Sequence, residues 1–245
     1  MKIILSPAKK MERADDDFAY DSLPEFLDQS EELLDHLKSY DAAQLKKIWK
    51  CSDALVQLNQ QRIETMDLRK GLSPALFSYI GLAFQHMAPG SMTDSQLDYL
   101  REHLRILSGF YGVLRPFDGV TPYRLEMQAV LPDRGSLYDF WGDSIYRSLI
   151  DEDRLIINLA SKEYSVCVEK YLREEDRMIT PSFVQIVKGK PVTKGTMAKM
   201  ARGEMTWWLA ENRITDPEKI RNFNDGYEYS ELLSGESEYV FVQKI

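Results

Sequence analysis

The run Leu155-Ile156-Ile157-Asn158-Leu159 constrains this chain more than any other segment. Five residues are short for a helix, and a strand with one wet face would alternate polar and apolar. A continuous apolar run fits a strand buried on both faces. Lys2-Ile3-Ile4-Leu5 reads the same way and ends abruptly at Ser6-Pro7. Helical periods lie around these runs. Phe26, Leu27, Leu33, Leu34 and Leu37 mark one from Pro24 to Tyr40. Asp41 caps the next, Ala42 to Trp49, and another covers Ser52 to Met66. Thr93 or Asp94 caps a helix with Leu97, Leu100, Leu104 and Leu107 on one face, stopping at Gly109. Later, Ser161 caps a helix from Tyr164 to Tyr171. Met178 to Lys188 and Pro191 to Thr193 read as strands, and Thr196 to Asn212 as a helix. Asp216-Pro217-Glu218 starts another helix, and Glu238 to Val242 is a closing strand. No repeat and no Gly/Ser/Pro linker divides the chain. The expected fold is α/β (α+β): one compact domain over 1–245, a mixed sheet and surrounding helices.

Composition narrows the function. Lys plus Arg is 31 and Asp plus Glu is 39, a formal charge of −8 in 245 residues. Such a chain is no general polyanion binder, and a nucleic-acid surface has to be a local basic patch. The acidic stretch from Glu12 through Asp15, Asp16 and Asp17 to Asp21 reads as a solvated loop. Cys51 and Cys167 form no Cys-x-x-Cys pair. The N-terminal apolar run is too short for a signal peptide. The uncharged stretch Gly71–Thr93 could span a bilayer by length. It carries Ser73, Pro74, Ser78, Gln85, His86, Pro89 and Gly90, which suits a buried segment better. A cytoplasmic protein without a membrane partner is expected. No phosphate loop or dinucleotide fingerprint occurs, and His36, His86 and His103 lie far apart, so no metal and no cofactor is expected.

Five segments carry chemistry. Ser6-Pro7-Ala8-Lys9-Lys10 follows a strand directly, where loops carry function. Ser6-x-x-Lys9 has the spacing of a serine–lysine nucleophile pair; the alternatives are a phosphate-binding lysine pair or plain exposed lysines. Leu104 to Pro116 holds Gly109 and Gly112 three apart, flanked by Arg105 and Arg115. That pattern reads either as a helix–hairpin–helix turn offering N–H groups to a DNA phosphate or as a glycine-terminated helix. In Pro122 to Met127, Arg124 and Glu126 either form a salt bridge or line a polar cleft, with Glu126 the best general-base candidate. The neighbouring Tyr138 to Asp143 cluster reads as a helix packed through Phe140 and Trp141. Asn158, Ser161 and Glu163 flank the end of a buried strand, where open α/β sheets place ligands; Ser161 as a plain helix cap is the alternative. Lys188 to Gly203 carries Lys188, Lys190, Lys194, Lys199 and Arg202 with no acid. It is either a phosphate contact or a solvated face. Gly203 breaks its helix with no packing reason visible in the sequence.

Taken in order, Ser6 to Met11, Leu104 to Pro116, Pro122 to Met127, Tyr138 to Asp143, Ile157 to Ser161 and Ala198 to Gly203 resemble the YaaA family of bacterial peroxide-stress proteins. Gly226-Tyr227 and Glu238 to Lys244 also fit. The resemblance implies tolerance of hydrogen peroxide, a limit on free iron, a positively charged cleft and a helix-hairpin-helix element like that of DNA-binding proteins. Met200 stands where the family usually has a lysine, and Gln128 where it usually has a glycine.

Three functions compete. In the first, Lys9, Lys10, Arg105, Arg115, Arg124, Lys199 and Arg202 line one cleft and neutralise phosphates of duplex, damaged or branched DNA. In the second, Glu126 is the acid/base of an enzyme on a nucleobase or nucleotide, with Asn158 and Ser161 reading the base. Direct iron sequestration ranks last, because no carboxylate–histidine spacing suits iron.

Overall fold

The structure is a computed structural model that describes residues 1–14 and 18–244. The Asp15-Asp16-Asp17 part of the expected acidic loop lies outside the described residues.

Strand β1 (Lys2–Leu5) runs through the middle of an eight-stranded sheet. On one side it pairs in parallel with β2 (Leu104–Ser108), which is antiparallel to β3 (Gly112–Leu114). On the other side it pairs in parallel with β4 (Leu155–Leu159), which pairs in parallel with β5 (Arg177–Val187). Strand β6 (Lys190–Val192) folds back on the far end of β5. Strands β7 (Tyr227–Tyr229) and β8 (Glu238–Gln243) close the edge, giving the order β7–β8–β5–β4–β1–β2–β3. All five residues of β4 are buried, as its apolar run demands. The mixed sheet and its helices are the expected class.

Helices α1 (Leu27–Ser39), α2 (Ala42–Trp49) and α3 (Asp53–Thr65) follow the apolar periods closely. Asp41 accepts the Gln44 N–H at 2.8 Å, and Gln44 Oε1 accepts the Asp41 N–H at 2.9 Å. This reciprocal box satisfies two N–H groups that the helix itself cannot. The uncharged segment is buried over much of its first half, and part of it forms α4 (Leu82–Met87). No helix among the described residues is long and apolar enough to cross a membrane.

One helix ends early. Thr93 caps α5 (Asp94–His103), but the expected continuation to Gly109 is strand β2. Leu104 and Leu107 fit a helical period by coincidence, because a strand buried on both faces is apolar on both. Leu104–Pro116 is therefore a β-hairpin and not a helix–hairpin–helix. Two N–H groups of its turn are already engaged: Phe110 N and Tyr111 N both donate to Ser108 Oγ, at 3.2 and 2.8 Å. A Cβ on Gly109 would lie 2.6 Å from the Leu125 carbonyl oxygen. Gly112 has φ +71°, and its Cα faces Trp141 and Phe26. Both glycines serve close packing. Asp216 caps only a short 3-10 turn, Pro217–Asn222.

The aromatic–acid cluster forms α6 (Leu137–Trp141), whose Trp141 Nε1 donates to the Gly109 carbonyl at 3.1 Å. Beyond β4 come α7 (Lys162–Glu169) and α8 (Gly195–Glu211). The buried side of α8 is Ala198, Ala201, Met205 and Leu209. Thr206 is also fully buried and donates to the Arg202 carbonyl at 2.8 Å.

Candidate functional site

Strands β1 and β4 are parallel neighbours, with Leu5 level with Leu159. The chain leaves β1 toward β2 and leaves β4 toward β5, so the two connections diverge. An open sheet forms a crevice at such a reversal, at the carboxyl ends of the strands. Ser6 and Ser161 meet there. The Ser161 N–H donates to Ser6 Oγ at 2.7 Å, and the two hydroxyls are 3.1 Å apart. A cleft of about 370 Å³ opens above them.

Two pieces of chain shape its walls through small residues. A Cβ on Gly81 would lie 2.8 Å from the Ala8 Cβ, so glycine lets the Ser6–Lys10 loop sit against the start of α4. A Cβ on Gly203 would lie 2.1 Å from the Ala83 carbonyl oxygen. Gly203 thus has a packing role that its sequence context does not disclose. It lets α8 cross α4 at backbone contact, which brings Lys199 and Arg202 to the cleft wall opposite the loop.

The walls carry both signs of charge. Glu126, 12% exposed, receives Lys9 Nζ at 2.8 Å on one carboxylate oxygen and Arg124 Nη2 at 3.1 Å on the other. Arg124 also reaches the Trp49 carbonyl at 3.4 Å, tying the end of α2 to this carboxylate. Lys10 pairs with Glu12 at 2.8 Å. Lys199 and Arg202 meet no carboxylate among the described residues. Arg202 is half-buried, its Nε has no hydrogen-bond partner, and burial pushes the guanidinium pKa down. Glu163 also lines the cleft and accepts the Gln128 N–H at 3.4 Å. Burial raises its carboxyl above the usual range. The Gln128 bond, Lys9 and Lys50 pull it down, and the negative Glu126 adds to the rise.

The raised carboxyl sets a pH dependence. Its protonated form is favoured in the folded state. The stability it confers is complete below the unfolded-state pKa and is lost as pH climbs through the folded-state value. Glu163→Gln stays neutral throughout. Thermal melts from pH 4 to pH 7 are expected to show the variant gaining on the wild type as pH rises. A constant difference would contradict the assignment.

Of the residues singled out by sequence, the structure gathers Ser6, Lys9, Lys10, Glu126, Ser161, Glu163, Lys199 and Arg202 at this cleft. Arg124 stands behind Glu126 as its salt-bridge partner, so the two alternatives for that pair hold together. Five others lie elsewhere. Arg105 donates to the backbone carbonyls of Arg101, Glu102 and Leu104 near the start of β2, and Arg115 sits beyond the hairpin. Gly109 and Gly112 are packing positions. Asn158 is buried: its Oδ1 accepts the Ala160 N–H at 3.0 Å and its Nδ2 donates to Thr180 Oγ1 at 3.2 Å. It shapes the turn that presents Ser161 and does not line the cleft. Ser161 precedes α7 as expected, but its hydroxyl faces Ser6 and makes no capping bond. The serine–lysine pair does not form, because Lys9 is engaged by Glu126 and Ser6 by Ser161. Tyr164, Gly81 and Ala83 were not singled out. Only Tyr164 carried a signal, its position three residues beyond the cap.

His36 contacts Asp133 at 2.9 Å, His86 contacts Glu204 at 2.7 Å, and His103 contacts the Met1 carbonyl at 2.9 Å. Among the described residues no three His, Cys, Asp or Glu side chains gather as a metal site.

Residues 1–233 match the family model described as peroxide stress protein YaaA. A UPF0246 protein of Agathobacter rectalis is 54% identical over 248 residues, covering 100% of both chains. UPF0246 proteins of Pediococcus pentosaceus and Lachnoclostridium phytofermentans are each 46% identical over 246 residues. They cover 99% of this chain, and 98% and 96% of their own.

Proposed function

The chain belongs to the peroxide stress protein YaaA family, and from that premise we propose that it acts in the peroxide stress response by holding DNA through a phosphate seated in the cleft. The observation that carries this reading is the pair Lys199 and Arg202. Both line the cleft, and neither has a counter-ion among the described residues. A half-buried cation without a partner is unfavourable in the empty protein, and a ligand phosphate relieves it.

The size of the cleft narrows the form of DNA. A volume of about 370 Å³ is at the low end for small-molecule pockets. An intact duplex cannot enter it. A single nucleotide unit from a strand end, a gap or an opened base pair can. Four cations line the cleft, not the seven read from the sequence, so a long phosphate track is replaced by one short grip. Binding there places the protein on the molecule that iron-driven peroxide chemistry damages.

A second reading is turnover of a nucleobase or nucleotide in the same cleft. Two carboxyl groups in unlike surroundings favour it. Glu126 is clamped between Lys9 and Arg124, whereas burial raises Glu163. A buried carboxyl raised in this way is suited to an acid role beside a salt-bridged one.

Fluorescence anisotropy with single-stranded, gapped and duplex DNA at about 50 and 200 mM salt tests the first reading. Affinity is expected to fall steeply with salt and to favour the single-stranded and gapped forms. Lys199→Ala is expected to weaken all of them and reduce the salt slope by about 0.7. Undetectable or salt-independent binding by the wild type would contradict it.

A further inference from the structure

We propose that the β-ribbon made by the far end of β5 with β6 is a second DNA contact, gripping the backbone of the strand whose nucleotide occupies the cleft. This rests on the DNA reading of that cleft.

The ribbon leaves the sheet at the edge where the cleft opens. Strand β5 is parallel to β4, and the offset that pairs Leu155 with Arg177 puts Leu159 level with Pro181. Six further residues at about 3.3 Å each carry Val187 roughly 20 Å past the end of β4. There Gln185, Ile186 and Val187 pair with Val192, Pro191 and Lys190. The chain then returns directly into α8, the helix that supplies Lys199 and Arg202. Gln185 Nε2 contacts Met197 Sδ at 3.1 Å, so the base of the ribbon is fastened to the first turn of that helix.

Its surface is unlike the rest of this acidic molecule. Lys188, Lys190 and Lys194 are exposed, no acid lies between Lys188 and Arg202, and none of the three lysines meets a carboxylate among the described residues. Ile186, Val187 and Val192 are exposed beside them. The turn itself is informative. Lys188 has φ +51° and Gly189 φ +75°, the geometry of a two-residue type I′ turn. Asn or Gly suits the first position, and a lysine there is uncommon. A cation held at a strained tip, with more along both sides, complements a phosphate backbone.

The test uses the full chain with Lys188→Asn, Lys190→Gln and Lys194→Gln combined; asparagine keeps the turn. A matched control replaces Lys38, Lys47 and Lys219, exposed on other elements, with glutamine. The probes are a single-stranded oligonucleotide, a deoxynucleoside 5′-monophosphate and vesicles containing phosphatidylserine. The ribbon variant is expected to lose at least tenfold in oligonucleotide affinity at low salt. Its salt slope falls by about 2, while its monophosphate affinity and the control variant's slope do not change. An unchanged slope overturns the proposal, as does an equal fall in the control. Wild-type binding to vesicles but not to the oligonucleotide also overturns it, in favour of a membrane surface. Oligonucleotide binding that depends on the ribbon, with no monophosphate binding, keeps the ribbon and removes the cleft reading.

Discussion

Replacing Gly203 with alanine is expected to lower the melting temperature by about 5–10 °C. The added Cβ would sit 2.1 Å from the Ala83 carbonyl oxygen and 2.9 Å from the Ala83 carbonyl carbon and Met87 N. These are backbone atoms, so no side chain can swing aside; the two helices have to separate. Overpacking of this kind costs about 1–3 kcal/mol. Alanine's better helix propensity, about 1 kcal/mol, offsets a part. A contact so far inside van der Waals distance belongs at or above the upper end, and 1 kcal/mol moves a chain of this size by about 2–4 °C. Gly195→Ala is the control, because a Cβ there meets nothing within 4 Å. The effect reaches the site as well. Helix α4 and the segment before it form one wall of the cleft and α8 another, so separation moves Arg202 away from Glu126 and Ser161. Calorimetry of both variants checks the first claim, and equal melting temperatures would contradict it.

Replacing Arg202 with methionine is expected to act in the opposite sense on stability. The guanidinium is half-buried, and its Nε lacks a hydrogen-bond partner among the described residues. Burial alone pushes its pKa down, with no carboxylate to restore it. An unsatisfied buried polar group costs about 1–3 kcal/mol, and a flexible apolar side chain of similar reach removes that cost. The empty variant is therefore expected to be as stable as the wild type or more so. The same change removes the cation best placed to meet a phosphate, and affinity is expected to fall at least tenfold. Stability sacrificed at a binding site is the usual trade in natural proteins.

Much of the sheet could be read from residues alone. Ile3-Ile4-Leu5 and Leu155 to Leu159 are apolar on both faces because each is flanked by strands and covered on either side, and that burial writes itself into composition. Asp41 and Thr93 announce helix starts because their side chains complete the first turn. The helix expected through Leu107 failed for the same reason that the strands were found: a doubly buried strand also satisfies a helical period. The turn after Ser108 misled because glycine serves close packing and phosphate approach equally well, and only the partner atoms distinguish them.

The site was half legible. Lys9, Glu126, Ser161, Lys199 and Arg202 stand at loop and helix positions where polar residues are conspicuous. Arg105 and Arg115 are equally conspicuous, yet they sit at the base of their hairpin, away from its turn and outside the cleft. A sum of charges along a chain carries no direction in space. Gly81 and Gly203 were illegible in role because their reason is a tertiary contact, with Ala8 and Ala83, that no local pattern encodes.

The central claim is that Arg202 and Lys199 hold a phosphate in the cleft at the ends of β1 and β4. Isothermal titration of a deoxynucleoside 5′-monophosphate into the wild type and Arg202→Met tests it most directly. The account predicts one site per chain in the wild type, weakened at least tenfold in a variant whose melting temperature is unchanged or raised. Equal affinity in the two proteins would contradict it.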